Sequence, residues 1–320
     1  MRIILVGYGE MISSLLLGCL ENRHQVVGIL RHEQINDSAI KRFFKDTFCP
    51  NELVALIRKY KIHQISAPSI NSKKFFKKAL NLNPDIILVG SWSEILTSKI
   101  INLPTIATIN CHPSLLPKYR GPNPYYETIR HGETQSGITF HLMSEKLDQG
   151  PILLQKTVNI SSNDTGGSLR TKCAYEARKA LKDLLLGLEE GTTIPIQQNE
   201  THASYFKRAD FLDCIINFEN SSEEIYNQIR AFNPWQRCFF LHNNYFLTTN
   251  SAQIGNKTDK PPGYIITKSN YDITVSAGNF SSIILKNVRI YKSPSKFIDK
   301  YYINNCIKIN DFMQTPTPQI

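Results

Sequence analysis

Long apolar runs are missing from this sequence, and their absence argues against a membrane span. A helix that crosses a bilayer needs roughly 18 or more consecutive apolar residues. The apolar stretches near the start, Ile3-Ile-Leu-Val6 and Ser14-Leu-Leu-Leu17, are separated by glycine and glutamate. The start also lacks the small-residue cleavage pattern of a signal peptide. The sequence therefore predicts a cytoplasmic protein without a membrane segment.

Paired cysteine motifs are also missing. The seven cysteines are an odd set without a Cys-x-x-Cys pair, which argues against a disulfide framework or a structural zinc site and favours reduced thiols. The histidines and cysteines show no metal-ligand spacing, so we expect no metal. Cys111 lies between Asn110 and His112, but strand alternation would point it away from both, and we expect a packed thiol.

Acidic residues are fewer than basic ones, with 37 Lys and Arg against 27 Asp and Glu, a net charge of +10. A basic protein suits a polyanionic partner. From Tyr205 onward the chain carries 13 basic and 9 acidic residues, a net +4, which leaves +6 for residues 1–204. Because neither part concentrates the charge, composition alone leaves an RNA-binding protein and a merely basic one equally open.

The first part of the chain alternates strand-like and helix-like segments. Arg2–Gly7 and Pro84–Gly90 are apolar runs ending in glycine, typical of strands buried on both faces, and helical patterns lie between them. This alternation predicts a Rossmann-like α/β domain with a mostly parallel sheet. Gly7-Tyr-Gly9 is a ligand-facing turn, but Ile12 replaces the third glycine of the dinucleotide fingerprint, so we assign no nicotinamide.

The sequence pattern changes near Phe211. Short alternating runs separated by turns follow, such as Cys238-Phe-Phe-Leu and Ser282-Ile-Ile-Leu, and they indicate a small β-barrel. We therefore predict a first domain over residues 1–191, a linker over residues 192–209 and a β-barrel domain over residues 210–320. The tail, Thr315-Pro-Thr-Pro, is expected to be disordered.

The most informative stretch is Asn110-Cys-His-Pro-Ser-Leu-Leu-Pro-Lys-Tyr-Arg-Gly121. An apolar run, Ile106–Ile109, leads directly into it, so Asn110 and His112 are expected at the end of a strand, where open α/β folds place their chemistry. The prolines within the stretch keep the following backbone out of helix. Asp148, in Lys146-Leu-Asp-Gln-Gly150, supplies a carboxylate in a second turn.

Together with Gly137-Ile-Thr-Phe-His141 and Leu147-Asp-Gln-Gly150, this stretch resembles the folate-dependent formyltransferases. The similarity is closest to methionyl-tRNA formyltransferases, and sugar-nucleotide N-formyltransferases share the same motifs. The resemblance implies the formyltransferase fold, with an oligonucleotide-fold-like barrel after the segment Ile229–Trp235. It also implies transfer of a formyl group from 10-formyltetrahydrofolate, as co-substrate, to a primary amine.

By this resemblance, Asn110, His112 and Asp148 are the expected catalytic residues. An amide and an imidazole N–H suit an oxyanion, and an imidazole can take the amine proton near neutral pH. We expect Asp148 to raise the pKa of His112, and His141 to be a supporting residue. The expected 10-formyltetrahydrofolate site is lined by Ser114, Leu115, Leu116, Pro117, Ile95 and Leu96.

The sequence leaves two candidate substrates as acceptor of the formyl group. Initiator methionyl-tRNA is favoured by the two-domain length, by Ile229–Trp235 and by the basic charge. A nucleotide-linked amino sugar is the alternative. Methionyl-tRNA formyltransferases typically carry a basic, glycine-rich loop where this chain has Arg31–Asp37, and small residues where it has Tyr125 and Tyr126. A non-catalytic RNA- or folate-binding module and a formyl-folate hydrolase are minor alternatives.

A basic stretch near the end of the chain also bears on the acceptor. It consists of Lys286, Arg289, Lys292, Lys296 and Lys300, with Tyr291 among them. A solvated face is the expected interpretation, and contact with RNA is the alternative.

Overall fold

The computed structural model describes residues 1–316. The predicted tail therefore lies, from residue 317 on, outside the described residues. The strands are β1 (Arg2–Gly7), β2 (Gln25–Arg31), β3 (Ile86–Gly90), β4 (Ala107–His112), β5 (Gln135–Leu142), β6 (Ile152–Asn159), β7 (Cys238–His242), β8 (Tyr245–Thr249), β9 (Ser251–Ile254), β10 (Ile265–Ser269), β11 (Asp272–Ala277), β12 (Ser281–Lys286) and β13 (Arg289–Ile290).

The helices are distributed over the whole described chain. They are α1 (Gly9–Glu21), α2 (Glu33–Asn36), α3 (Ala39–Phe48), α4 (Glu52–Lys59), α5 (Lys73–Leu82), α6 (Ser98–Ile101), α7 (Pro124–Arg130), α8 (Gly166–Glu189), α9 (Ser222–Phe232) and α10 (Lys296–Asn305). Several begin at a side-chain cap: Ser72 accepts from the N–H of Phe75, and Ser221 forms a capping box with Glu224. Such caps satisfy N–H groups that have no partner within the helix.

The N-terminal half is built on a six-stranded sheet in the order β2-β1-β3-β4-β5-β6. The first four strands of that order are parallel, whereas β5 and β6 are antiparallel to their neighbours. The connection from β5 to β6, residues 143–151, is shorter than the dozen or so residues that a parallel crossover needs, so these two strands pair antiparallel. The predicted fold class, a Rossmann-like and mostly parallel sheet, is confirmed.

The centre of this sheet is buried on both faces. Strand β3 is buried along its whole length, and Ile4, Val6, Ile87 and Val89 pack on Phe75 of α5 on one side. The ends of β1 and β3 approach so closely that a Cβ on Gly7 would lie 1.9 Å from the carbonyl oxygen of Gly90. The glycines at these strand ends are therefore required by packing.

The C-terminal half is antiparallel β structure with helices. One sheet has the order β10-β11-β12-β9 and the other has the order β13-β8-β7. Helix α10, which the sequence analysis did not predict, ends at carbonyls that receive the Lys268 ammonium group, Ile303 at 3.0 Å and Asn304 at 2.7 Å. A cation at this position stabilises the negative end of a helix.

Contacts between Cα atoms divide the chain into two units. The first comprises residues 1–124, 135–159 and 170–206, and the second comprises residues 125–134, 160–169 and 207–320. The proposed division into residues 1–191, 192–209 and 210–320 differs because two short stretches of the N-terminal half belong to the second unit. It also differs because most of the proposed linker belongs to the first unit.

Three further features concern membrane spans, disulfides and metal sites. Within residues 1–316, no helix combines the length and apolar character needed to cross a membrane. All seven cysteines are free. Over the same residues, no three His, Cys, Asp or Glu side chains are grouped so that they could hold a metal ion.

Candidate active site

The polar cluster starts with the pairing of β4 and β5. In this antiparallel pair Asn110 lies directly opposite His141, and His112 lies opposite Thr139. Directly opposed residues point to the same face of a sheet. The register therefore brings the Asn110 amide and the His141 ring together, with the Asn110 Nδ2 atom 3.2 Å from His141 Nε2.

Asp148 joins this cluster from the turn between β5 and β6. Its Oδ1 atom lies 3.4 Å from Asn110 Nδ2, 3.6 Å from His112 Nδ1 and 3.7 Å from His141 Nε2. Its Oδ2 atom accepts a hydrogen bond of 3.0 Å from the backbone N–H of Gly121. The structure thus brings together the three residues that the sequence predicts as catalytic, with Asp148 at their centre.

The hydrogen bonds of His141 define the orientation of the Asn110 amide. The Nδ1 atom of His141 lies 2.9 Å from the carbonyl oxygen of Leu142, which only accepts, so Nδ1 carries the proton. In the neutral ring, Nε2 is then an acceptor and receives an N–H of Asn110. The amide nitrogen of Asn110 therefore points toward Asp148 and its oxygen points away.

The tautomer of His112 follows by the same reasoning. Its Nε2 atom lies 2.9 Å from the carbonyl oxygen of Tyr119, so Nε2 carries the proton and Nδ1 faces Asp148 as an acceptor. Burial lowers the pKa of His112 below the usual 6.5 and outweighs Asp148, which acts in the opposite direction. Asp148 raises the pKa of His112, as predicted, but burial is the larger effect because the residue is only 4% exposed.

Asp148 remains ionised in this environment. Burial works against its charge, but the positive charge of His112 in its protonated form, the neighbouring His141 ring and the hydrogen bond from the Gly121 N–H outweigh burial and hold the pKa of Asp148 well below its usual range. Near neutral pH the pair is therefore a carboxylate beside a neutral imidazole. If Nδ1 of His112 takes up a proton, the new N–H faces a negative charge.

A pocket opens beside this cluster. Its walls include two of the predicted folate-site residues, Ile95 and Leu96, together with Asn110, His141 and Asp148. The remaining lining residues are Val89, Trp92, Glu94, Met143, Ser144, Lys146 and Leu147. The lining thus combines apolar side chains, such as Val89 and Leu96, with polar ones that include Asn110 and Asp148.

The other four predicted folate-site residues, Ser114, Leu115, Leu116 and Pro117, lie elsewhere. The Oγ of Ser114 donates to the carbonyl of Lys118 at 2.7 Å, and the N–H of Leu116 lies 3.3 Å from Thr139 Oγ1. This segment packs on β5 and shapes the loop that follows His112. Its place in the folate site stays a prediction.

Trp92 is a pocket residue whose role the sequence analysis did not identify. Its indole Nε1 is buried and has no hydrogen-bond partner among the described residues. An N–H in that state is costly unless a ligand or water satisfies it. The sequence signal for it is its place two residues after a buried strand, in the same segment as the predicted folate-site residues Ile95 and Leu96.

Gln198 was missed entirely. Its side-chain N–H groups donate to the carbonyls of Asp148 and Gly150, both at 2.8 Å. Gln198 lies in a polar connector without a periodic pattern, so its sequence context carried no signal of this contact.

Two residues with open interpretations are now placed. Cys111 is buried against Met11, with 3.6 Å between the sulfur atoms, and burial raises its pKa well above the usual value. It is the packed thiol that was predicted. Tyr126 is 3% exposed, and its ring stacks against Phe232 with centroids 4.1 Å apart, so it is a packing residue.

Comparison with known proteins agrees with this geometry. The family model "Formyl transferase" matches residues 1–185, and "Formyl transferase, C-terminal domain" matches residues 212–297. A methionyl-tRNA formyltransferase of Thermotoga maritima is 32% identical over 75% of this chain and 75% of its own length.

Two solved structures share the fold. An N-formyltransferase from Helicobacter canadensis, in complex with folinic acid and dTDP-3-aminofucose, has a TM-score of 0.69 at 22% identity and covers 89% of this chain and 98% of its own. A methionyl-tRNA formyltransferase from Clostridium thermocellum has a TM-score of 0.53 at 18% identity, with 91% and 98% covered. With its strand-end cluster of Asn110, His112 and Asp148, this chain belongs to the formyltransferase family.

Proposed function

We propose that this protein transfers a formyl group from 10-formyltetrahydrofolate to a primary amine, and that the amine belongs to initiator methionyl-tRNA. The observation that carries the chemistry is the position of Asp148, within 3.4 Å of the Asn110 amide and 3.6 Å of the His112 ring, at the end of a pocket. The family match over residues 1–185 supports the same reaction.

His112 is proposed as the proton acceptor. When the amine attacks the formyl carbon, a carbon–nitrogen bond forms and the amine must lose a proton. The lowered pKa keeps His112 neutral near pH 7, and its free Nδ1 can take that proton. Asp148 then faces the imidazolium and stabilises it. The proton finally goes to the folate nitrogen as its bond to the formyl carbon breaks.

Asn110 is proposed to stabilise the oxyanion that develops on the formyl oxygen. Its Nδ2 group lines the pocket and is turned toward the cluster by His141. The hydrogen bond from Nδ2 to Asp148 is long, 3.4 Å, so an oxyanion in the pocket can replace it at little cost. A preorganised donor of this kind typically contributes about 10²–10³ in rate.

The pocket residues fit the co-substrate. A pterin is a flat heterocycle with an apolar face and polar edges, and the pocket offers Ile95, Leu96 and Val89 for the face. The buried Nε1 of Trp92 is a donor without a partner among the described residues, so it can serve a polar edge. Bound in this way, 10-formyltetrahydrofolate would present its formyl group next to Asn110.

The C-terminal half offers a surface suited to RNA. Lys286 and Arg289 of the basic stretch form ion pairs, with Asp272 and Asp299, both at 2.8 Å. The remaining cations of this stretch are exposed together with aromatic residues, namely Lys292, Lys296, Lys300, Tyr291, Phe297 and Tyr301. Lysines at phosphates and rings under bases are the usual means of binding single-stranded nucleic acid.

The amino-sugar alternative is favoured by one comparison. The Helicobacter canadensis N-formyltransferase has a higher TM-score, 0.69, than the Clostridium thermocellum methionyl-tRNA formyltransferase, 0.53. The tyrosine argument for a sugar is weakened, because Tyr126 is buried against Phe232. We rank tRNA first because the 32% identical relative is a methionyl-tRNA formyltransferase.

A formyl-transfer assay with parallel acceptors tests this proposal. Purified protein and 10-formyltetrahydrofolate are offered charged methionyl-tRNA in one series and nucleotide-linked amino sugars in another, with His112→Gln as the inactive control. Transfer to tRNA alone supports the proposal. Transfer to a sugar alone replaces the acceptor and keeps the chemistry, and transfer to neither, at any folate concentration that binds, refutes both.

A further inference from the structure

A polar segment following α8 crosses the catalytic loop within the first unit. We call residues 198–206 the strap. The backbone of Ser204 donates to Pro117 O at 3.2 Å and accepts from the N–H of Arg120 at 2.9 Å, and Phe206 N–H donates to Arg120 O at 3.0 Å. A Cβ on Gly121 would lie 2.2 Å from the carbonyl oxygen of Phe206, so only glycine allows this approach.

The strap holds Tyr119, whose carbonyl accepts from His112. Tyr119 has a φ of +60°, a left-handed conformation that a tyrosine adopts only where its surroundings enforce it. Its N–H donates to Ser204 Oγ at 2.8 Å, and its ring stacks on Phe206 with centroids 5.4 Å apart. The strap therefore fixes the direction of the carbonyl that keeps the proton on Nε2 of His112.

The strap also holds Asp148, the second residue of the proton-transfer pair. Asp148 has a φ of +53°, again left-handed and without the freedom of glycine. Gln198 donates both side-chain N–H groups, to Asp148 O and to Gly150 O, each at 2.8 Å. The amide oxygen of Gln198 accepts from Arg120 Nη2 at 2.7 Å, and Glu200 Oε1 accepts from the same atom at 2.7 Å.

We propose that the strap is a positioning device for formyl transfer, in which Gln198 places the Asp148 carboxylate and Ser204 places the Tyr119 carbonyl. Both left-handed residues of the site are held by side chains of one connector. Neither Gln198 nor Ser204 contacts the pocket, so each acts through another residue. The proposal rests on the proposed function for its effect on catalysis, but its effect on His112 is measurable without turnover.

The expected change in His112 follows from the groups that face it. These are Asp148, which raises the pKa of His112, and His141 and Arg120, which lower it. If loss of Gln198 lets the Asp148 turn relax, the contribution that raises the pKa diminishes and the pKa of His112 falls further. If loss of the Ser204 hydroxyl, which accepts from the Tyr119 N–H, lets the left-handed Tyr119 backbone relax and turns its carbonyl away from Nε2, the proton of the neutral ring is shared between Nδ1 and Nε2.

The experiment compares Gln198→Leu and Ser204→Ala with Gln197→Leu, which removes the same side chain from the exposed neighbouring position. Protein labelled with ¹⁵N-histidine is titrated by NMR, with His112→Gln to assign the His112 ring. We expect a lower pKa of His112 in Gln198→Leu and a mixed tautomer in Ser204→Ala. The spectrum and titration of Gln197→Leu should match wild type.

Kinetics supply the second readout. A misplacement of about 1 Å at a reacting group can cost ~10²-fold in rate. We expect kcat of Gln198→Leu to fall by about 10- to 100-fold with little change in KM, and the acidic limb of its pH profile to move to lower pH. Gln197→Leu should keep wild-type kinetics.

The outcomes separate this proposal from the proposed function. Unchanged His112 titration and tautomer in both strap variants would overturn the positioning role, even if their melting temperatures fall. If Gln198→Leu does not fold, Ser204→Ala alone decides. If the NMR changes appear while wild-type protein formylates neither acceptor, the strap stands and the proposed function fails.

Discussion

Replacing Asp148 by Asn isolates the electrostatic part of the proposed mechanism. The amide has the same shape, and its oxygen can still accept the Gly121 N–H that now lies 3.0 Å from Oδ2, so the turn should keep its structure. What is lost is one negative charge 3.6 Å from Nδ1 of His112. At an effective dielectric of ~20, two unit charges at that distance attract by about 4–5 kcal/mol.

Losing this attraction should lower both the pKa of His112 and kcat. One pKa unit corresponds to about 1.36 kcal/mol, and carboxylate–cation pairs in proteins shift pKa values by roughly 1–3 units. The pKa of His112 is already lowered by burial, and without Asp148 it should fall further by that amount. His112 must be neutral to accept a proton, so the acidic limb of the pH profile should move to lower pH. At each pH on the plateau, kcat should fall about 10- to 10³-fold, because the imidazolium formed in the transition state loses its counter-charge.

The assay is formyl transfer under saturating 10-formyltetrahydrofolate from pH 5 to pH 9. Glu145→Gln is the matched control, because it removes a negative charge from an exposed position of the same turn. It should leave both the limb and the plateau unchanged. If Asp148→Asn keeps its plateau and its acidic limb, the carboxylate does not act on His112 and the reasoning is refuted.

Three further outcomes are expected. His141→Phe removes the acceptor that turns the Asn110 amide, so kcat should fall about tenfold with KM unchanged, and an equal loss in KM would instead indicate a binding role. His112→Gln should reduce the pH dependence of the free energy of unfolding. The folded pKa of His112 lies below the unfolded 6.5, so its contribution to stability is lost as pH falls below about 6.5. The variant should therefore lose less stability than wild type between pH 7.5 and 5, as urea titrations at the two pH values can show. Neutralising the exposed lysines of the basic stretch should make the affinity for tRNA less dependent on salt. The slope of log K against log salt concentration should decrease by about 0.7–0.9 for each lysine that no longer neutralises a phosphate. An unchanged slope would indicate that this surface is solvated and does not contact RNA. The lysines are Lys292, Lys296 and Lys300.

The sheet was predictable because its strands carry their own signal. Arg2–Gly7 and Ile86–Gly90 are short apolar runs that end in glycine, and burial on both faces requires that composition. Strands β5 and β6 were found as elements, but their antiparallel pairing, β5 with β4 and β6 with β5, is not encoded in the residues of either strand. Helix α10 was not predicted, although Ser295 caps it, because its lysines are equally typical of a solvated surface without regular structure.

The site was predictable in its members but not in its arrangement. Asn110 and His112 were expected at a strand end because an apolar run leads into them. The pairing of Asn110 with His141 is a matter of strand register, which single residues do not encode. The net pKa of His112 depends on burial by surrounding chain, and the hydrogen bond of Gln198 with Asp148 spans 50 residues. Neither leaves a local pattern.

The catalytic cluster identifies the reaction more clearly than it identifies the acceptor. Proton transfer and oxyanion binding need only the formyl carbon and an amine, so Asn110, His112 and Asp148 can serve a tRNA or a sugar equally. Discrimination must come from surfaces beyond the cluster. Helix α3 offers such a surface, because three of its large apolar residues, Ile40, Phe43 and Phe44, are 73%, 64% and 56% exposed. If tRNA is the acceptor, Phe43→Ser should raise KM for tRNA and leave the folate KM unchanged. If a small sugar is the acceptor, the same substitution should change neither the KM for the sugar nor the KM for folate.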